Sequence, residues 1–218
     1  MRRCEERRGG LWPRGELNLL APSGSEFHCR WQALYLALAV SGLASLLAVV
    51  TLLGYLFLYT PLKRKTPLCV LVGAFPGAMP PLIGWAAASG TLSLEAWVLY
   101  AVLFLWQFPH FMAIAWMYRE NYARAGYCVL PFGERRRPFM AWQSLVPALA
   151  LVPLSLTPTF LGQAGLIYFV EALLLSSSFF YYGARLALRR SNAMARRLLF
   201  VSILYLPVVL VLMMLDKT

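Results

Sequence analysis

Residues 96–117 read AWVLYAVLFLWQFPHFMAIAWM, 22 positions without an Asp, Glu, Lys or Arg. At a rise of about 1.5 Å per residue, a helix of this length covers roughly 33 Å, enough to cross a hydrocarbon core of about 30 Å. Comparable apolar runs recur at about 33–59, 68–88, 139–157, 161–184 and 198–215. Six such spans joined by short connections predict an all-α, polytopic transmembrane helical bundle, since helices satisfy their own backbone polar groups in lipid. Residues 1–30 read as a basic, poorly ordered N-terminal segment, and residues 31–218 as one transmembrane domain. No second sizeable domain fits in the remaining length.

Composition agrees. The chain is 60% hydrophobic and only 13% charged, about half the charge a soluble domain usually carries. A net charge of +11 would suit nucleic acid. However, the arginines lie between apolar runs, where positive charge holds loops in the cytoplasm. Nucleic acid is therefore excluded, and anionic lipid headgroups or a diphosphate are the fitting partners. Cys4, Cys29, Cys69 and Cys128 form no CxxC pair and read as apolar filler. The start of the chain does not read as a signal peptide, because Gly9, Gly10, Pro13, Pro22, Gly24 and Glu26 interrupt the stretch before Ala33.

The basic residues alternate between connections. Lys63, Arg64 and Lys65 occupy the first, Pro61 to Thr66, and none falls between Ser89 and Glu95. Arg119, Arg124, Arg135, Arg136 and Arg137 occupy the third, Tyr118 to Pro138. A short turn expected at Pro158 has none, and Arg185, Arg189, Arg190, Arg196 and Arg197 fill the last. The positive-inside rule then puts three basic loops in the cytoplasm of a bacterial-type inner membrane. Residues 1–30 carry six more arginines, yet the 29 residues from Trp31 to Tyr59 are too short for two crossings. A stunted hairpin, an external N-terminus, or a start that is not the native start of the fold all satisfy this arithmetic.

Polar groups inside a span mark candidate sites. Gln107 and His110, spaced i, i+3, lie on neighbouring positions of one helix face. An intramembrane histidine either bonds a neighbouring helix or serves as an acid, a base or a haem contact. The loop that follows holds Arg119, Glu120, Asn121, Tyr122 and Arg124, and the first basic loop follows Tyr59 with Lys63 and Arg64. Each reads alone as a solvated anchor, and together they offer charge-assisted hydrogen bonds to a diphosphate. Acids are scarce. Glu120 is the one placed to help hold a metal ion among these residues, and no Asp-x-x-x-Asp pair occurs.

Five stretches in order carry a resemblance: YTPLKRKT at 59–66, GAMPPLIGWAA at 77–87, WQFPHF at 106–111, YRENYARAG at 118–126 with Leu130-Pro131, and ARRLLFVSILYLP at 195–207. They resemble the protoheme IX farnesyltransferases, or haem O synthases, of the intramembrane aromatic prenyltransferase superfamily. The resemblance covers about residues 40–215 and implies a bundle of about nine helices. It implies farnesyl transfer from farnesyl diphosphate to the vinyl group of protoheme IX (haem B), with Mg²⁺ as cofactor. It makes Tyr59, Lys63, Arg64, Gln107 and His110 catalytic candidates. Arg119, Asn121, Tyr122 and Arg124 become substrate-binding candidates, and Glu120 a metal ligand. Association with haem A synthase or terminal oxidase assembly is implied as well.

Two departures stand out. The family's N-x-x-x-D-x-x-x-D motif is absent here, so its first two spans are expected upstream of Met1. Asn121 stands where the family's loop motif usually has Asp. An inactive homologue that binds haem or lipid without turnover is the alternative. A small transporter or channel is disfavoured, because no intramembrane ion pair or inverted repeat is evident.

Overall fold

The computed structural model describes residues 41–63, 65–127, 129–130, 136–189 and 191–217. The basic N-terminal segment, the beginning of the first expected span, and Arg64 lie outside the described residues. Among the described residues all regular structure is helical, and six stretches are long and apolar enough to cross a membrane.

The first, α1 (Gly42–Leu62), starts as an α-helix capped by Ser41, whose Oγ accepts from Ala44 N. It passes through a π-helical turn at Gly54–Tyr59 before its last turn. The second span is broken into α2 (Cys69–Gly77) and α3 (Pro80–Ser89). Pro80 and Pro81 lack the N–H groups that would continue α2, and both suit the first turn of a new helix. Then follow α4 (Leu94–Met117), the short α5 (Arg119–Arg124), α6 (Arg136–Phe160), α7 (Leu166–Arg189) and α8 (Asn192–Leu215).

These helices form two regions. Helices α4, α6, α7 and α8 close a ring in which each packs on two neighbours. Its interior includes the fully buried Met112, Met140, Leu151, Leu186 and Leu198, with Phe179 stacked on Tyr205 at 5.6 Å. Asp216 fastens the far end of the ring: its Oδ2 accepts from Tyr168 N and its carbonyl from Gly165 N, both at 2.8 Å. The carboxylate thus caps the otherwise unpaired first turn of α7 and meets the positive end of its dipole. Helices α1, α2 and α3 form an arm that joins the ring through α4. Within that arm only 11% of the α1 span is buried, against 22–39% for the other five.

Two expected connections are corrected. Pro158 is not in a turn but inside α6, and the turn lies at Leu161–Gly165. A proline leaves the carbonyl four residues back without its helical donor. Here Thr157 Oγ1 donates to that carbonyl, Leu154 O, at 2.7 Å, and the helix runs on. It stops where Gly162 takes φ +70° and the amides of Gly162 and Gln163 donate back to Thr159 O and Pro158 O, a Schellman closure. The Arg185–Arg197 loop is not a loop either. Helix α7 continues to Arg189, and α8 starts at Asn192 with Ser191 Oγ accepting from Met194 N. Long arginine side chains can reach the interface from the helix ends themselves.

Candidate functional site

The end of the bundle that carries Lys63, α5 and the α7–α8 turn brings two expected clusters together. Lys63 follows the last turn of α1, where its N–H donates to Tyr59 O at 3.0 Å. Its Nζ stands 5.3 Å from the ring centre of Tyr127 and 6.0 Å from that of Tyr59. The Tyr59 ring packs on α2 at Gly73, where an added Cβ would sit 2.6 Å from a ring carbon. Tyr122 approaches Tyr127 at 6.4 Å, and both line a shallow pocket with Arg119 and Leu130. Burial, and secondarily Tyr118 nearby, push the Tyr122 phenol above its ordinary pKa, so it stays a neutral O–H donor. Two phenols and a guanidinium therefore line one hollow at this end, and the Lys63 ammonium stands beside it against Tyr127. They are the donor types that grip phosphate oxygens.

Arg119 is already engaged. Its Nη1 donates to Trp116 O and to Asn192 Oδ1, both at 2.9 Å, and its guanidinium lies 4.8 Å from the Trp116 ring centre. The bond to Asn192 ties α5 to the start of α8. Glu120 is 3.8 Å from Arg119, with 73% of its side chain exposed. Such a pair holds neither partner firmly. Asn121 and Arg124 are exposed on α5. No group of three or more His, Cys, Asp or Glu side chains gathers as a metal site among the described residues.

Gln107 and His110 leave α4 toward different helices. Gln107 is buried; its Nε2 donates to Ala74 O at 2.8 Å. Its Oε1 lies where a Cβ on Gly77 would be, at 2.6 Å. The amide is thus a strut from the ring to the last turn of α2, just before the break at Ala78–Met79. His110 faces α8 instead, with Nδ1 2.8 Å from Ser202 Oγ. The Trp106 indole stacks on the imidazole at 4.6 Å and 21°, and its Nε1 donates to Ser202 O at 2.8 Å. By rise per residue, His110 lies about 10 Å inside the end of α4 that carries Arg119.

The sequence gives no role to Ser202 and Trp106, though both stand inside the quoted motifs, nor to Tyr127 and Asn192. Ser202 is a hydroxyl in an apolar run within the stretch 195–207. Tyr127 stood just past the quoted loop motif.

Residues 31–204 match the UbiA prenyltransferase family. A protein named protoheme IX farnesyltransferase from Solibacter usitatus (strain Ellin6076) is 47% identical over 222 aligned positions, 97% of this chain and 76% of the relative. One of the same name from Koribacter versatilis (strain Ellin345) is 46% identical over 84% of this chain and 62% of its own length. Another, from Cytophaga hutchinsonii, is 42% identical over 80% and 61%. The chain thus spans between 61% and 76% of the length of these three relatives. No solved structure matches it significantly.

Proposed function

Because the chain belongs to the UbiA prenyltransferase family, we propose that it transfers the farnesyl group of farnesyl diphosphate to a vinyl group of protoheme IX, giving haem O and diphosphate. The observation that carries this reading is the meeting of Lys63 with Tyr127, whose other neighbours Tyr122 and Arg119 line a hollow, so that two distant basic segments converge there.

In this reading Lys63 and Arg64 on one side, and Arg119 and Arg124 on the other, bind the diphosphate. Tyr59 and Tyr122 border it, and Asn121 offers its amide. Cleavage of the allylic C–O bond leaves the electron pair on the diphosphate, where fixed cations stabilise the developing charge. The vinyl π electrons of haem B form the new C–C bond. Water adds to the resulting cation and loses a proton, which completes a hydroxyethylfarnesyl side chain. Lipid and apolar walls keep water from the farnesyl cation until then.

Magnesium fits this site only in company with the diphosphate. Glu120 is exposed and held by nothing stronger than Arg119 at 3.8 Å. It would hold the ion with Asn121, since Mg²⁺ keeps waters and takes one or two carboxylates plus phosphate oxygens. When bound, the ion neutralises charge on the leaving group. The basic end belongs in the cytoplasm of the inner membrane by the positive-inside rule, and the product would pass toward haem A synthase or terminal oxidase assembly.

The test is direct. Membranes containing the full chain receive haem B, farnesyl diphosphate and Mg²⁺, and extracted haems are identified by mass. Haem O should appear and should fall sharply with Lys63→Met. A well-inserted chain that binds haem B but forms no haem O would establish the non-catalytic alternative.

A further inference from the structure

We propose that Ser202 is a positioning residue that fixes the tautomer of His110 and presents the imidazole Nε2 as a bare electron pair. The argument counts protons. Ser202 Oγ lies 2.6 Å from Leu199 O and 2.8 Å from His110 Nδ1. A hydroxyl has one proton to give, and a carbonyl has none. The proton of Ser202 therefore goes to Leu199 O, which can only accept. Oγ must then accept from His110, so Nδ1 carries the hydrogen. A neutral imidazole has a single N–H, and Nε2 is left with its lone pair free.

The surroundings hold this arrangement in place. Trp106 is one turn before His110 on α4 and stacks on its ring. The same indole donates to the backbone carbonyl of Ser202. One residue of α8 thus receives both aromatic side chains, which fixes the plane and the rotation of the imidazole together. A nitrogen lone pair on a half-buried imidazole in an apolar span suits a metal or an electrophile, and imidazole is a good iron ligand. Resting on the function proposed above, that iron is the one in haem B, and the hydrogen bond at Nδ1 orients the ring as outer-shell partners of ligating histidines do.

The chain has two histidines, His28 and His110, which makes the test clean. The full-length His28→Gln chain, labelled with ¹⁵N in its histidine ring and reconstituted in lipid, is examined by solid-state NMR. Nδ1 should be the protonated nitrogen and Nε2 the bare one. Ser202→Ala should release that preference, and Ser202→Thr, which keeps the hydroxyl, should restore it. A wild-type Nε2–H tautomer, or a Ser202→Ala spectrum identical to wild type, overturns the proposal.

Haem B is then titrated into the same samples and the iron–nitrogen bond is read from the visible spectrum. His110→Ala should abolish it, and Ser202→Ala should weaken binding by about tenfold or more, with Ser202→Thr close to wild type. If the tautomer is as stated but haem never ligates, the positioning role stands and the haem reading fails.

Discussion

The ring and the arm are built from the same apolar residues but use them differently. In the ring each helix has two partners, and Phe179, Tyr205, Leu198 and Met112 lie wholly inside. In the arm, α1 turns Leu56, Phe57 and Leu58 outward, with Phe57 71% exposed. Hydrophobicity in a membrane protein therefore does not mark the core, since lipid accepts the same side chains. What separates the regions is where polar atoms find partners. The ring holds Trp106, His110 and Ser202 in one network. The arm meets it through apolar packing such as Phe75 on Phe104, a buried amide bond from Gln107 to Ala74 O, and Lys63 against Tyr127 at the basic end.

Substitutions should divide along the same line. The largest loss is expected from Phe179→Ala in the ring, about 3–5 kcal/mol, as for other buried aromatics. Denaturant unfolding in mixed micelles would measure it, and a loss below that of Leu58→Ala would undo the distinction between the regions. Lys63→Met should leave stability unchanged while kcat/KM for the proposed transfer falls roughly 10–150-fold. That is the loss of about 1.5–3 kcal/mol in one hydrogen bond to a charged group. Equal losses of stability and activity would make Lys63 a structural residue of the arm. Asp216→Ala removes the cap of α7 and should cost about 0.5–2 kcal/mol, seen as a lower melting temperature in detergent. Gln107→Leu should cost about 0.6 kcal/mol and at most roughly 1.7. Its clearer sign is faster hydrogen exchange in α2 and α3 with α6 to α8 unchanged. Leu58→Ala, at a residue 57% exposed, should stay within about 0.5 kcal/mol.

Much of the fold was legible because a membrane imposes length and forbids charge, and both are visible in one dimension. The spans expected at 68–88 and 96–117 follow from that alone and match Cys69–Ser89 and Leu94–Met117 closely. Misreadings came where side chains repair what the backbone pattern suggests. Pro158 reads as a break, but the Thr157 hydroxyl replaces its missing donor. Arg185 and Arg196 read as loop, but helix ends carry them. For the site, Gln107 and His110 announced themselves as polar groups in an apolar run. Their partners did not, because Ala74 O is a backbone atom and Ser202 lies 92 residues from His110. Only packing brings such pairs together. Asn192, which holds Arg119, was hidden for the same reason.

The π-helical turn at Gly54–Tyr59 acts as a phase adjuster. One residue of insertion rotates everything beyond it by about 100° relative to an uninterrupted α-helix. Tyr59 and Lys63 therefore owe their bearing toward Gly73 and Tyr127 to winding as much as to identity. A chain with the same residues and one fewer in that turn would keep its hydrophobic length and its charge. It would still span the membrane, with its lysine aimed at lipid headgroups instead of the hollow beside Tyr122.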